Sequence, residues 1–524
     1  MKRAVFVLLA LLMAIAVMIP ACGGGTPTPP TPPAPPAEQP QYGGILKAAY
    51  TWGPRVLGYY PAMGFTDLQS VYPYAESMVN MDGKGNSIPE LAASWDVDTA
   101  NKTITWHLRQ GVKFHDGTDW NAEAAKWTYD ETIAAGRLKY GELITSIEVI
   151  DDYTLRFNLS QYNNRLVQAY GYMVCFFSPT AFNANGGKDW ARDHPVGTGP
   201  FKVVDFKRDA YLKLEKNESY WRPSRPYLDG IDIRFIGEKL TAMASLQAGE
   251  IDFWHDTEDV DTVIKLDSLG FPAVTGGVGL LIIVPSAKNP DSPFANKKVR
   301  EAVEYALDRE AMAKTFTKGF GEAAYQCAPS WASIYDPDFK SRKYDPEKAK
   351  QLLAEAGYAD GFQTSIAALA FGGVRDYATA AQNYLAAVGI TAEVEAVDMG
   401  RLMVMEEEGW NGLMVNIVME SSPNYIVPFL DNFGPLPAKY FFASFGRSPE
   451  YEALCQQVQS AQDDESERVA VQKLIRQAAE DATVIPLFVS QTLLTVQPYV
   501  HPYLYEETGT MATSFFHEWW MGEH

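Results

Sequence analysis

Cys22 is the residue whose setting most plainly implies a chemistry, that of a thiol made available for acylation. Lys2 and Arg3 carry positive charge ahead of it, residues 4–19 form an almost unbroken apolar run, and Gly23-Gly24-Gly25 follows it. A charged start, a short apolar stretch and a small residue near the cut read as an export signal. Cleavage before Cys22 would leave its thiol at a new N-terminus. The tetrapeptide Ile19-Pro20-Ala21-Cys22 resembles a bacterial lipobox in three of its four positions, with Pro20 the departure. The alternative is a short membrane anchor, but the apolar run falls below the ~20 residues that a helix needs to cross the hydrocarbon core.

The chain holds no GxSxG elbow, no HExxH and no GxxxxGK[ST] phosphate loop. Its seven histidines include no pair at helical spacing, and it has no CxxC, so no metal site, cofactor or catalytic group is assigned. His115-Asp116 could be a catalytic pair, but Asp116-Gly117 is strong turn chemistry and favours a local turn. Gly319-Phe320-Gly321 imitates a dinucleotide loop yet follows a helical segment, and Glu406-Glu407-Glu408 reads as a solvated helix end. Beyond Cys22, the cysteines Cys175, Cys327 and Cys455 allow at most one disulfide, with the pairing open.

These residues must be carried by more than one domain, since 524 residues exceed what a single core of ~150 supports. Apolar residues make up 47%, and 12 Trp, 28 Tyr and 26 Phe supply aromatic surface. The net charge of −21 disfavours nucleic acid and anionic lipid as partners. Membrane attachment would therefore come from acyl chains. Residues 26–39, rich in Pro and Thr, predict an extended stalk with a reach on the order of 45 Å. From Tyr42 onward the pattern is α/β. Residues 45–50 read as a buried strand, 103–108 as a hairpin strand, and 147–150 with 154–159 as a hairpin around Asp151-Asp152-Tyr153. One helix is expected over 299–316, with Val299, Ala302, Val303, Ala306 and Leu307 on one face. Another is expected from Asp345 as N-cap and Pro346 as first residue, stopping at Gly357.

Five ordered blocks then read together. Residues 105–118, TWHLRQGVKFHDGT, resemble the signature of the family 5 solute-binding proteins, the peptide- and nickel-type receptors of ABC importers. Residues 122–129 continue that pattern, with Ala124 where an acidic residue is usual. Gly197-Thr198-Gly199-Pro200-Phe201 with Asn217-Glu218-Ser219-Tyr220-Trp221 is similar to a second block. Gly249-Glu250-Ile251-Asp252, the run 299–309, and 344–358 are similar to the remaining three. The resemblance covers roughly residues 43–520.

It implies a two-lobed class II periplasmic-binding-protein fold with an extra subdomain and two crossover hinges. Residues 1–21 would be the signal peptide and 22–41 the lipidated linker. Lobe I would combine 42–80, 196–284 and 489–524, the extra subdomain 81–195, and lobe II 285–488. Gly276-Gly277-Val278-Gly279, just before the first crossing, would be a hinge shoulder or simply a turn. Arg109, Asp116, Gly199 and Arg300 would hold turns and lobe packing.

In such a family the loop after the first strand and a segment of lobe II face the cleft. Here these are 50–54 and 418–425. Peptide receptors carry an aspartate in the second segment to pair with the peptide α-ammonium. Ser421 stands in that place, Met419 where tryptophan is usual, and Glu420 is the residue that could compensate. The candidate ligand contacts are Trp52, Trp410, Asn424, Tyr425, Tyr172 and Glu420; core packing is the competing role for each aromatic. The implied function is an exported, lipid-anchored monomeric receptor that closes on a peptide or similar-sized solute. It would deliver that solute to an ABC permease, at the outer face of the cell membrane or in the periplasm. An exported hydrolase of oligosaccharides or peptides, and a sensory binding subunit, are the alternatives.

Overall fold

Two long antiparallel strands, Ala273–Pro285 and Ile485–Val496, run through the middle of the molecule. The computed structural model describes residues 39–172, 174–255, 260–370, 373–420, 425–435, 443–505, 511 and 514–523, and only the backbone at Phe65, Thr66, Met419 and Glu420. Val278–Pro285 is buried at every position, as its unbroken apolar sequence requires of a strand covered on both faces. An eleven-stranded sheet forms around this pair. Its order is Ile390–Val397, Phe362–Leu369, Leu413–Glu420, Ala273–Pro285, Ile485–Val496, Phe253–Trp254, Ile45–Tyr50, Gly230–Phe235, Tyr211–Lys216 and Phe201–Lys207. The short strand Gly321–Ala323 pairs off this path with Ile485–Val496.

The long strands pass from one hydrophobic core to another. Val278, Leu280–Val284, Ile485 and Leu487–Val489 belong to a core drawn entirely from residues 278–489. Leu494 and Val496 join a second core with Leu46, Ala48, Tyr50, Phe201, Leu212, Ile231, Ile233, Phe253 and Trp519. Between them the register slips by one residue from Thr275 to Gly277. A Cβ on Gly276 would lie 2.5 Å from Leu494 Cδ1, so a side chain there would require the Leu494 side chain to shift. A third core, from residues 78–176, fills the space behind the four-stranded antiparallel sheet Ala92–Asp98, Thr103–Leu108, Thr154–Leu159, Ile144–Asp151. The expected strand 103–108 alternates half-buried and buried residues, and the expected hairpin turns at Asp151.

Asp345 accepts the Lys348 N–H as N-cap of helix Pro346–Glu355, and Gly357 follows with φ of +92°, as expected. The single helix expected over 299–316 is instead two, Lys297–Ala306 and Arg309–Thr317. Asp308 breaks it: its side chain accepts the Ala311 N–H and caps the second helix, while Leu307 turns extended and buries itself. Cys175, Cys327 and Cys455 are buried free thiols. No helix among the described residues is long and apolar enough to cross a membrane.

Candidate ligand cleft

The register of the sheet locates a meeting point. Strand Ile45–Tyr50 runs parallel to Gly230–Phe235 and to Phe253–Trp254. Phe253 pairs with Val496 and Trp254 with Thr495, antiparallel, so this parallel set points toward Gln491 of the long strand. On the other side, Phe362–Leu369, Ile390–Val397 and Leu413–Glu420 are mutually parallel. Leu413 pairs with Pro285 and Glu420 with Val278, antiparallel, so this set points toward the same step. Gln491 and Val278 are themselves paired. The carboxyl edges of both parallel sets thus converge from opposite sides on the crossover at Gly276–Val278. In open α/β sheets such edges are where ligands bind, because the loops leaving them are free of the sheet ladder.

The predicted residues fall around that point unevenly. Tyr50 ends its strand stacked on His255 at 4.4 Å, and Trp52, two residues on, is 48% exposed. Glu420 ends the opposing strand beside Val278. Asn424 lies outside the described residues. Tyr425 is buried, its hydroxyl 3.4 Å from the Val418 carbonyl oxygen it donates to, with its ring edge-on to Trp331 at 6.4 Å. Trp331 is 39% exposed and was missed in the sequence, where nothing distinguishes it from a core aromatic. Trp410 is walled into the 278–489 core and donates its indole N–H to the Val284 carbonyl at 3.2 Å. That places it at the amino end of strand Leu413–Glu420 rather than at the carboxyl edge. Glu406 is likewise buried and accepts from Asn416 at 3.0 Å, so the expected solvated run of three glutamates begins with a structural one.

Tyr172 is half-buried against a cavity of about 20 Å³ that it lines with Tyr72, Glu76, Asn80, Tyr220 and His517. Such a volume holds about one water and no solute. Below it lies a buried charged network. Glu76 accepts hydrogen bonds from Thr198 at 2.8 Å, Tyr220 at 2.7 Å and the Trp221 indole at 3.0 Å. Glu90 pairs with Arg222 at 2.7 Å, and Arg222 and Arg109 each lie 4.3 Å from the Trp221 ring. Burial, and secondly the charge of Glu90, raise the Glu76 carboxyl to about 8.

The His115-Asp116 segment is a turn rather than a catalytic pair. Asp116 accepts from the Thr118 N–H at 3.0 Å and the Ser178 hydroxyl at 2.6 Å, and Gly117 has φ of +86°. His115, expected to bond locally, instead places Nε2 3.0 Å from the Gly199 carbonyl, 84 residues away, and burial lowers its pKa to about 4. This ties the first motif block to the second, where a Cβ on Gly197 would sit 2.0 Å from the Tyr74 carbonyl oxygen. Arg300 donates to the carbonyls of Asp481, Phe294 and Ala295. The motif residues therefore build the frame. Among the described residues no cluster of His, Cys, Asp and Glu could hold a metal ion.

Known proteins agree with this frame. The model of bacterial extracellular solute-binding proteins, family 5 (Middle), matches residues 86–431, roughly two thirds of the chain. The glutathione-binding protein GsiB of Shigella flexneri is 35% identical over 328 residues, which cover 59% of this chain and 61% of that protein. Heme-binding protein A of Haemophilus influenzae is 32% identical over 301 residues, covering 53% and 55%. The chain thus aligns with less than two thirds of the length of these relatives. Among solved structures, the ABC transporter-associated periplasmic binding protein DppA from Helicobacter pylori, in complex with the peptide STSA, superposes with a TM-score of 0.77. It is 23% identical, and the match covers 92% of this chain and 99% of that one. The fold is therefore the two-lobed α/β fold of periplasmic binding proteins, with the paired long strands as its crossovers. The chain belongs to the bacterial extracellular solute-binding proteins of family 5.

Proposed function

We propose that this protein is a lipid-anchored extracytoplasmic receptor that captures a peptide or similar-sized solute between two lobes and presents it to an ABC permease. The observation that carries this reading is the convergence of both carboxyl strand edges on one paired crossover. Lobe I is taken as residues 42–80, 196–284 and 489–524, the subdomain as 81–195, and lobe II as 285–488. The slipped register at Thr275–Gly277 is the hinge shoulder. Contacts made with both lobes exist only when the cleft is shut, so ligand shifts the population toward closure. Trp52 and the 420–425 segment supply the contacts, with Glu420 the candidate partner for an ammonium and Trp331 added as an aromatic wall. The protein performs no turnover in this reading, and its ligand leaves unchanged.

A melting-temperature screen against glutathione, short peptides, heme, glycosides and metal chelates tests this. A true ligand at 100 times its Kd adds about 2.7 kcal/mol of stability. The expected result is a raised melting temperature that Trp52→Ala diminishes, with the ligand recovered intact by mass spectrometry. No shift with any compound, or a chemically altered ligand, would overturn the reading.

A further inference from the structure

Polar side chains from the 78–176 region meet polar side chains from the 278–489 region. Lys139 and Tyr140 lie between helix Ala122–Ala134 and strand Ile144–Asp151; Asn164 and Arg165 precede helix Leu166–Gly171. Across from them, Asp431 sits on helix Ile426–Phe433, and Asp464 and Glu467 occupy the first turn of helix Asp464–Glu480. Lys139 pairs with Asp431. Asn164 donates to Asp464 at 2.6 Å and to Glu467 at 3.1 Å. Arg165 Nε lies 3.5 Å from Glu467, with only 10% and 7% of the two side chains exposed, while its other arm donates to the Tyr140 hydroxyl at 3.0 Å.

The hydrophobic clusters of the two faces are separate, and neither includes a residue of the other. The partly exposed Lys139–Asp431 pair makes the junction sensitive to ionic strength, and the more buried Arg165–Glu467 pair less so. The N-terminal turn of helix Asp464–Glu480 favours negative charge at Asp464 and Glu467, while burial of Glu467 opposes its charge and Arg165 and Asn164 support it. We propose that Lys139–Asp431, Arg165–Glu467 and Asn164–Asp464 form an electrostatic latch that holds the cleft shut, so that opening and ligand release are governed by these charges. This rests on the two-lobed receptor reading above.

Nitroxide labels at the exposed positions Asp152 and Lys473, placed on the full chain in detergent, report the distance between the two bodies by pulsed electron resonance. Raising salt from about 0.1 M to about 1 M cuts the screening length from about 10 Å to about 3 Å. In the unsubstituted protein without ligand, that step is expected to move population from a short distance to a longer one. Arg165→Ala and Lys139→Ala are expected to show the longer distance already at low salt. The charge exchange Arg165→Glu with Glu467→Arg is expected to restore the short one, and an unchanged circular dichroism spectrum separates opening from unfolding. If the variants keep the short distance at every salt concentration, the latch is overturned. Ligand-driven shortening in the salt-opened protein tests the receptor reading independently. Its absence with the variants still open sinks that reading, and with it the role in ligand release, and leaves only a charge-controlled junction between the two faces.

Discussion

Individual buried ionisable groups give this protein a pH dependence with opposing slopes. His115 and His517 are buried, and burial first of all lowers them to about 4 and about 3, below the usual histidine value of 6.5. On acidification below about 6.5 the unfolded chain takes up these protons while the native one does not, so stability falls from there toward about 4. Glu76 behaves oppositely. Raised to about 8, it keeps its proton in the native state while the unfolded chain has released it above about 4.5, so stability falls as pH rises through that window. Over 4.5–6.5 the two histidines outweigh the single glutamate and stability still rises with pH, whereas above 6.5 the histidine contribution is complete and that of Glu76 continues to act downward. Glu76→Gln is therefore expected to abolish the decline in melting temperature between pH 6.5 and 8 while leaving the acid limb intact. A decline of the same size in the variant would show that Glu76 is not its source. None of this was legible in the sequence, where His115 read as a local turn residue; its partner Gly199 is 84 positions away.

At the scale of elements, the chain's local signals were reliable wherever a cap or a turn closes on itself within four residues. Asp345-Pro346 and the Asp151-Asp152-Tyr153 turn behave as read because the groups they satisfy are their immediate neighbours. The helix expected over 299–316 failed for the same kind of reason. Its apolar periodicity runs through Leu307, but Asp308 offers the backbone a cap and restarts the helix. Asp308→Ala is expected to cost about 1 kcal/mol, read as a lowered urea midpoint with unchanged slope. A loss below a few tenths of a kcal/mol would mean that the break is imposed by packing around Leu307 instead. Trp410 shows the limit of element-level reading: it sits between helix Met399–Glu408 and strand Leu413–Glu420 like a cleft aromatic, yet its indole is claimed by Val284, 126 residues away.

For the molecule as a whole, the anchor and the receptor body are separate propositions. A receptor tethered by an extended stalk stays at high effective concentration near its membrane partner without any affinity of its own for the bilayer. On the proposed lipid-anchored reading, Cys22→Ser is expected to release the protein from the membrane fraction, because a net charge of −21 gives little attraction to anionic lipid. Persistence in the membrane pellet after carbonate washing would show instead that residues 4–19 remain uncleaved as an anchor. By itself the order of residues determined the leader-like pattern, the α/β alternation, the hairpins and capped helices, and the five motif blocks. Each of those is a pattern of residue types among near neighbours, legible without knowing what the residues touch in the fold. Only the tertiary structure decided that both carboxyl strand edges meet at Gly276–Val278, that Gly276 packs against Leu494, that Trp410 and Glu406 are buried, and that Lys139 and Arg165 reach acids some 300 residues distant. Those outcomes depend on which surfaces the folded sheet brings together, and no local pattern encodes a partner that lies on the far side of a crossover.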